Sequence, residues 1–470
     1  MSGLVPMSAV PIVFIVDDDV SVRESLELLI QGAGCRTETF ASAEEFLSRP
    51  RVLTPSCLIL DVILPDLNGL DLQERIAADR VDMPIIFVTG AHDISTTVRA
   101  MKAGAAEFLT KPCDYDVLLS AIRHAVDRSC SVLREEAEMG DLRNRYASLT
   151  PREREVMDLV VIGELNKQVG GELGISEITV KVHRGNMMRK MKAGSLVDLV
   201  NMGRETPPAV RAKMPDTRRT GRSRRTPRRR HDEPTDSSVN CFNRDIPMNS
   251  ASTSSHGSKA WSNGRAAPIV FVVDGDDTAR ESLESLIQSA GWQPESFACG
   301  QEFLSRERVL APSCLILDVA LPDLNGLDLQ QLVADRIEMP TIFITACADV
   351  PTTVRAMKAG ALDFLTKPFR NEVLLSSIGN AIERSQAAIR REAEMQPLRD
   401  RHASLSRRER EVMALVVAGR VNKEIGGELG ICEITVQAHR GRVMRKMRAE
   451  SLAGLVNIAA RLRLTTAPKG

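Results

Sequence analysis

Paired acids, a lone Asp, a Thr and a Lys-Pro occur twice in that order along this 470-residue chain. In the first half they are Asp17 and Asp18, Asp61, Thr89 and Lys111 before Pro112. A carboxylate in such a group can attack phosphorus if a divalent cation screens the phosphoryl charge. Mg²⁺ is a hard ion, usually held by one or two carboxylates together with phosphate and water. A Lys ammonium and a Thr hydroxyl can then stabilise the phosphoryl oxygens. One Asp after an apolar run is an ordinary helix cap, but the whole set in order is specific. The second half repeats it as Asp274, Asp318, Thr345 and Lys367, with Gly275 where the first half has Asp18. Loss of that carboxylate predicts weaker Mg²⁺ binding by the second set. Asp276 falls one residue too late to replace it, and Asp277 is expected to compensate only in part, through water.

The residues that precede these groups say how they are held. Ile12–Val16, Cys57–Leu60 and Ile85–Val88 are short apolar runs of strand character. Val20–Gln31, Leu70–Ala78 and Thr96–Ala103 carry helical spacing between them. Such alternation predicts a parallel sheet with helices on both faces, in which functional groups gather at the carboxyl ends of the strands. From Asp114 a helical pattern rich in Arg and Glu continues through Arg145, and a compact helical segment follows at Leu149–Met202. Thr150-Pro151-Arg152-Glu153 supplies an N-cap, a Pro at the first helical position and an acidic first turn.

All of this is duplicated. Ile12–Leu72 aligns without gaps to Ile269–Leu329 at roughly 70% identity, and after one lost residue near Ala77–Ala78 the match resumes through Leu199 and Leu455. Between the copies lies a stretch with TRRTGRSRRTPRRR and SASTSSHGS, which has no apolar periodicity and reads as a disordered linker. Met248, after the Arg-rich part of that stretch and before the start of the second copy, is placed like the relic of a second gene's initiator, which would make the chain a fusion of neighbouring paralogues.

The motifs FIVDDD, LILDVILPDLNGLDL, IIFVTG and FLTKP resemble the receiver domain of two-component response regulators over nearly all of 11–128. The resemblance implies Asp61 as phosphoacceptor, Asp18 as direct Mg²⁺ ligand, Asp17 as its acidic neighbour and the backbone carbonyl of Ile63 as a further ligand. It also implies Thr89 and Lys111 as switch hydroxyl and phosphoryl partner, with Phe108 as an aromatic switch. The second copy carries Asp274, Asp318, the backbone of Ala320, Thr345, Lys367 and Phe364 at the matching positions, so the resemblance implies Asp318 as a second phosphoacceptor, modified more slowly or weakly than Asp61 because Gly275 replaces Asp18.

LTPREREVMDLVVIGELNKQVGGELGISEITVKVHRGNMMRKM and its counterpart from Leu405 resemble the LuxR/FixJ-type helix-turn-helix module. Asn166-Lys167 opens a scaffold helix, Gly174-Ile175-Ser176 makes the turn and Ile178–Met191 is the recognition helix. Val180, Met187 and Met191 suit the core, while Lys181, His183, Arg184, Arg189 and Lys190 form the basic face that major-groove docking requires. The resemblance implies Lys181, Val182, His183 and Arg184 as groove contacts. The second set is Gln437, Ala438, His439, Arg440 and Arg442, in a helix that also carries Arg445 and Lys446, and its differences predict different base preferences. Residues 404–470 hold 13 Lys/Arg against 6 Asp/Glu, whereas residues 148–203 hold 8 against 7. The second module should therefore bind DNA with more non-specific affinity and more salt dependence.

The expected fold class is multidomain: two doubly wound, flavodoxin-like α/β receivers and two all-α helix-turn-helix domains. Expected boundaries are receiver 11–128, connector 129–147, DNA-binding module 148–203, linker 204–267, receiver 268–384, connector 385–403 and module 404–466. Nine scattered cysteines without a CxxC pair suit reduced thiols in a cytoplasmic protein. No apolar run reaches the length needed to span a bilayer. Implied partners are double-stranded DNA, a sensor histidine kinase and RNA polymerase, with a receiver-mediated dimer or an intramolecular pseudo-dimer as the working form. No kinase ATP site or catalytic output motif is present, so no enzyme is expected. A phosphate sink or adaptor acting through protein contacts is the alternative.

Overall fold

The computed structural model describes residues 10–77, 79–90, 93–205 and 267–464. The expected linker, Met248 and Cys241 lie outside the described residues, apart from the linker's edges. At one edge Arg204 and Glu205 belong to a helix, so the linker start expected at 204 is two residues early.

The first receiver runs β1 (Ile12–Val16), α1 (Val20–Gly32), β2 (Arg36–Phe40), α2 (Ala43–Ser48), β3 (Ser56–Leu60), α3 (Gly69–Ile76), β4 (Ile85–Thr89), α4 (Ile94–Lys102) and β5 (Glu107–Thr110). Its strands are parallel in the order β2-β1-β3-β4-β5. Because successive strand residues face opposite sides, the all-apolar β1 serves two cores. Phe14 and Val16 join Leu58, Leu60 and Phe87 under α2, α3 and α4, while Val13 and Ile15 join Ile59, Ile86 and Val88 under α1 and the helix that follows β5. Caps move some helix starts from the expected places. Asp93 accepts from the Ser95 and Thr96 amides, so α4 begins at Ile94, and Asn68 accepts from Leu70, so α3 begins at Gly69.

Helix α5 (Tyr115–Ala147) is a single 33-residue element, with the expected connector as its second half. The Ser129 hydroxyl on α5 accepts the Ser56 amide at 3.0 Å, fixing the helix to the foot of β3. The module follows as α6 (Pro151–Ile162), α7 (Asn166–Leu173), α8 (Glu177–Met191) and α9 (Leu196–Glu205). Thr150 and Glu153 form a capping box on α6. Gly174, at φ 65°, turns α7 into α8. A Cβ on Gly170 would come within 2.8 Å of the Ile175 carbonyl oxygen, so glycine lets the two helices cross closely.

The second half repeats the architecture as β6 (Ile269–Val273), α10 (Asp277–Ser289), β7 (Gln293–Phe297), α11 (Gly300–Ser305), β8 (Ser313–Asp318), α12 (Gly326–Leu332), β9 (Thr341–Thr345), α13 (Val350–Lys358), β10 (Asp363–Thr366) and α14 (Asn371–Ala403). Its sheet order is β7-β6-β8-β9-β10, all parallel. Helices α15 (Arg407–Val417), α16 (Asn422–Leu429), α17 (Glu433–Met447) and α18 (Leu452–Arg461) complete the second module. The eight cysteines among the described residues are free thiols. No described helix is long and apolar enough to cross a membrane.

Among the described residues the two halves meet at the receivers and at the modules. Val98 of α4 packs with the second receiver's core, and Val350 and Val354 of α13 pack with the first's. Reciprocal ion pairs flank this contact: Lys102 Nζ to Asp363 Oδ1 at 2.6 Å and Lys358 Nζ to Glu107 Oε2 at 2.5 Å. The modules meet where Val197 and Val200 of α9 pack on Ala453 and Val456 of α18.

Candidate phosphoacceptor pocket and nucleic-acid interface

The pocket forms where β1, β3, β4 and β5 end. Asp17 and Asp61 are buried and Asp18 is exposed, and one oxygen from each carboxylate lies within 4.8 Å of the others. Lys111 Nζ sits 2.6 Å from Asp17 Oδ2 and 2.6 Å from Asp61 Oδ2. Asp61 Oδ1 accepts the Ile63 amide at 3.2 Å, and Asp17 Oδ1 accepts the Asp19 amide at 3.0 Å. Burial raises the Asp17 carboxyl above its ordinary range, against the pull of its bond to Lys111. Burial opposes the Lys111 ammonium, but its bonds to Asp17 and Asp61 outweigh that and raise its pKa. Lysine therefore stays charged between two acids.

Thr89 is fully buried at the end of β4, and its carbonyl accepts the Lys111 amide at 2.8 Å. Phe108 is also buried, its ring centroid 5.7 Å from that of Phe87. A residue not singled out by its chemistry proves decisive for shape: a Cβ on Gly69 would overlap the Asp61 carbonyl oxygen, and one on Gly326 would overlap that of Asp318. The NGL repeat was the available signal, since a glycine after a helix cap marks close backbone approach.

In the second receiver Lys367 Nζ lies 2.6 Å from Asp274 Oδ2 and 2.9 Å from Asp318 Oδ2. Asp318 Oδ1 accepts the Ala320 amide at 3.0 Å. The Thr345 hydroxyl bonds the Cys347 backbone, and Phe364 is buried against Phe343. Gly275 brings no carboxylate, and the neighbouring acids are engaged elsewhere. Asp276 caps α10 through Thr278 and Ala279, and Asp277 pairs with Arg280 while largely exposed. Arg280 in turn donates to the Asp274 carbonyl oxygen at 2.6 Å, so Asp277 is tied to the backbone beside the pocket through a cation.

On α8, Val180, Met187 and Met191 are buried and Lys181 and Val182 are exposed. His183 and Arg184 are half-buried, and Arg184 Nη1 donates to Asn166 Oδ1 at 2.5 Å. Lys190 departs from its expected place on the basic face. It binds buried Glu153 at 2.7 Å, as Lys446 binds Glu409 at 2.6 Å, because an acid in the cap of α6 or α15 needs a nearby cation. On α17, Gln437, Ala438 and Arg442 are exposed, whereas His439 and Arg440 are half-buried and Arg440 Nη1 holds Asn422 Oδ1 at 2.5 Å. Ile178 and Ile434, absent from the expected contacts, stand 74% and 79% exposed in the first turns. Exposed apolar side chains beside cations suit the thymine methyl groups and phosphates of a major groove.

An acidic pocket on a doubly wound sheet, joined by one helix to a helix-turn-helix, defines a receiver coupled to a DNA-reading output. The family model of the response regulator receiver domain matches residues 13–123 and 270–379, and that of bacterial regulatory proteins of the luxR family matches 147–203 and 403–459. Nodulation protein W of Bradyrhizobium diazoefficiens is 46% identical over 200 residues, covering 43% of this chain and 88% of that protein. Response regulator protein TmoT of Ectopseudomonas mendocina is 44% identical over 191 residues, covering 41% and 87%. The low-resolution structure of response regulator StyR is 45% identical, covering 42% of this chain and all of that one, at a TM-score of 0.38. The chain belongs to the FixJ/LuxR-type response regulators, in tandem duplicate, and is a phosphorylation-controlled DNA-binding transcription regulator.

Proposed function

We propose that Asp61 is the principal phosphoacceptor and that its modification governs DNA binding by both modules of the same chain. The observation that carries this reading is the buried Asp61 carboxylate held 2.6 Å from Lys111 beside Asp17 and Asp18. Three convergent carboxylates are a hard-donor set that fits Mg²⁺, with the Ile63 carbonyl as neutral ligand; Asp274, Asp318 and the Ala320 carbonyl are the reduced counterpart. Bound there, the ion screens the charge of the incoming phosphoryl group. An Asp61 oxygen attacks the phosphorus of the kinase's phosphohistidine, the P–N bond breaks and the imidazole departs. Lys111 exchanges its bond to Asp61 for one to a phosphoryl oxygen, and Thr89 supplies a hydroxyl donor. Phe108 lies on β5 beside Glu107, which pairs with Lys358 across the receivers, so the pocket and the contact between halves share a strand.

The working form we assign is an intramolecular pseudo-dimer in the cytoplasm that acts with RNA polymerase at a promoter. Its DNA contacts include Lys181, Val182, His183 and Arg184 in one module, and Gln437, Ala438, His439, Arg440 and Arg442 in the other. Its covalent chemistry is confined to its own aspartates. The test is acetyl phosphate labelling of the full chain with Mg²⁺, read by intact mass and by retention on genomic duplex fragments. Asp61→Asn should remove most label and the phosphorylation-dependent retention. Unchanged labelling removes the assignment, and failure of either state to hold any duplex favours a phosphate sink or adaptor.

A further inference from the structure

The two recognition helices are seated alike and carry different exposed residues. In each, an Arg is pinned to the scaffold Asn, a Lys to the capping Glu, and three apolar residues enter the core. These shared anchors give α8 and α17 the same placement on their modules. The exposed positions differ, with Lys181 and Val182 on one helix and Gln437 and Ala438 on the other.

The modules also meet through like elements in a reciprocal way. Gly163 faces the Ser451 hydroxyl and Gly419 faces the Ser195 hydroxyl, while α9 packs on α18. Exchange of equivalent contacts is the mark of an approximate two-fold axis, and a two-fold reader is matched by inverted half-sites. Two identical chains would read both halves with identical side chains, but this chain does not. A Lys in the major groove donates to O6 and N7 of guanine, whereas a Gln amide matches N6 and N7 of adenine.

We propose that one chain reads a single asymmetric operator: an inverted pair of half-sites with guanine opposite Lys181 and adenine at the equivalent position opposite Gln437. The proposal rests on the reading that both modules dock in the major groove. It assigns Lys181 and Gln437 as the residues that distinguish the two halves, with Val182 and Ala438 setting how closely each helix approaches.

The test is selection of a random duplex library by the full chain in acetyl phosphate and Mg²⁺, followed by binding to symmetrised versions of the enriched site. The expected site has unlike halves, and making both halves guanine or both adenine weakens binding by roughly tenfold. Lys181→Gln with Val182→Ala should convert the preference to the adenine-adenine duplex. Gln437→Lys with Ala438→Val should convert it to the guanine-guanine duplex. Both pairs of substitutions are at exposed positions, so folding is preserved. A symmetric site for the unmodified chain, or variants that keep its preference, overturns the asymmetric operator while DNA binding stands. Enrichment of no sequence at all overturns both this proposal and the groove-docking reading beneath it.

Discussion

At the scale of single residues, the difference between Asp18 and Gly275 removes a carboxylate from the second receiver's pocket. Asp274, Asp318 and Lys367 keep the arrangement of their counterparts, so the missing carboxylate leaves these three groups in place. A divalent ion there meets less negative charge and one fewer oxygen, and Asp276 and Asp277 are held by α10 and Arg280. At limiting Mg²⁺, acetyl phosphate should label Asp61 before Asp318, as peptide mapping of the full chain would register. Asp18→Gly should slow Asp61 labelling by roughly tenfold or more, and Gly275→Asp should speed Asp318 labelling comparably. A Cβ at 275 would lie 3.3 Å from Pro322 Cδ, so the proline ring must give by a few tenths of an ångström. Equal labelling of the two aspartates at every Mg²⁺ concentration would remove the ligand role given to Asp18.

At the scale of elements, buried acids tie the cap of one helix to the recognition helix of the same module. Glu409 bonds the Ser406 amide at the start of α15 and Lys446 on α17. The Lys446 ammonium, helped by the Ser406 amide, lowers the Glu409 carboxyl to about 2. Its ordinary value is 4.5, so the folded module favours the charged form. That stabilisation is fully present above about pH 4.5 and disappears as pH falls through 2. Glu409→Gln keeps a capping side chain but removes the charge, so its effect should be visible near neutrality and fade in acid. Amide exchange of α15 and α17 in the full chain, compared with the variant at pH 6 and at pH 3, measures this; a difference that persists undiminished at pH 3 contradicts it. The same contact marks the limit of what sequence reveals. The strand-end acids were legible because each follows an apolar run, and Thr150–Glu153 because a capping box spans four residues. Lys190 was misplaced on the DNA face because its partner Glu153 is 37 residues away, a separation that helical periodicity cannot bridge. Gly69 escaped notice because its role is the space it leaves for the Asp61 carbonyl.

At the scale of the whole molecule, the described contacts pair receiver with receiver and module with module. Free chains need a sizeable interface to overcome the entropy of association, but halves of one chain meet at a high effective concentration. A few valines on α4 and α13 with two flanking ion pairs are then enough to favour closure. The pairs are unlike in detail: Lys102 reaches a mostly buried Asp363 that Ser377 also binds, whereas Lys358 reaches the longer Glu107. Both remain partly exposed on the lysine side, so deleting one should cost only about 1 kcal/mol. Reversal does more, since Lys102→Glu sets two carboxylates against each other at a site where 2.6 Å separated opposite charges. The variant should open the receiver contact, seen by small-angle scattering as a larger radius of gyration at unchanged single-chain mass. Adding Asp363→Lys should restore the compact form by exchanging the charges. If Lys102→Glu leaves the scattering curve unaltered, or if the unmodified chain with beryllofluoride and Mg²⁺ forms a strict two-chain species, the receivers pair between molecules. Closure within the chain would then no longer explain how one pocket reaches both recognition helices.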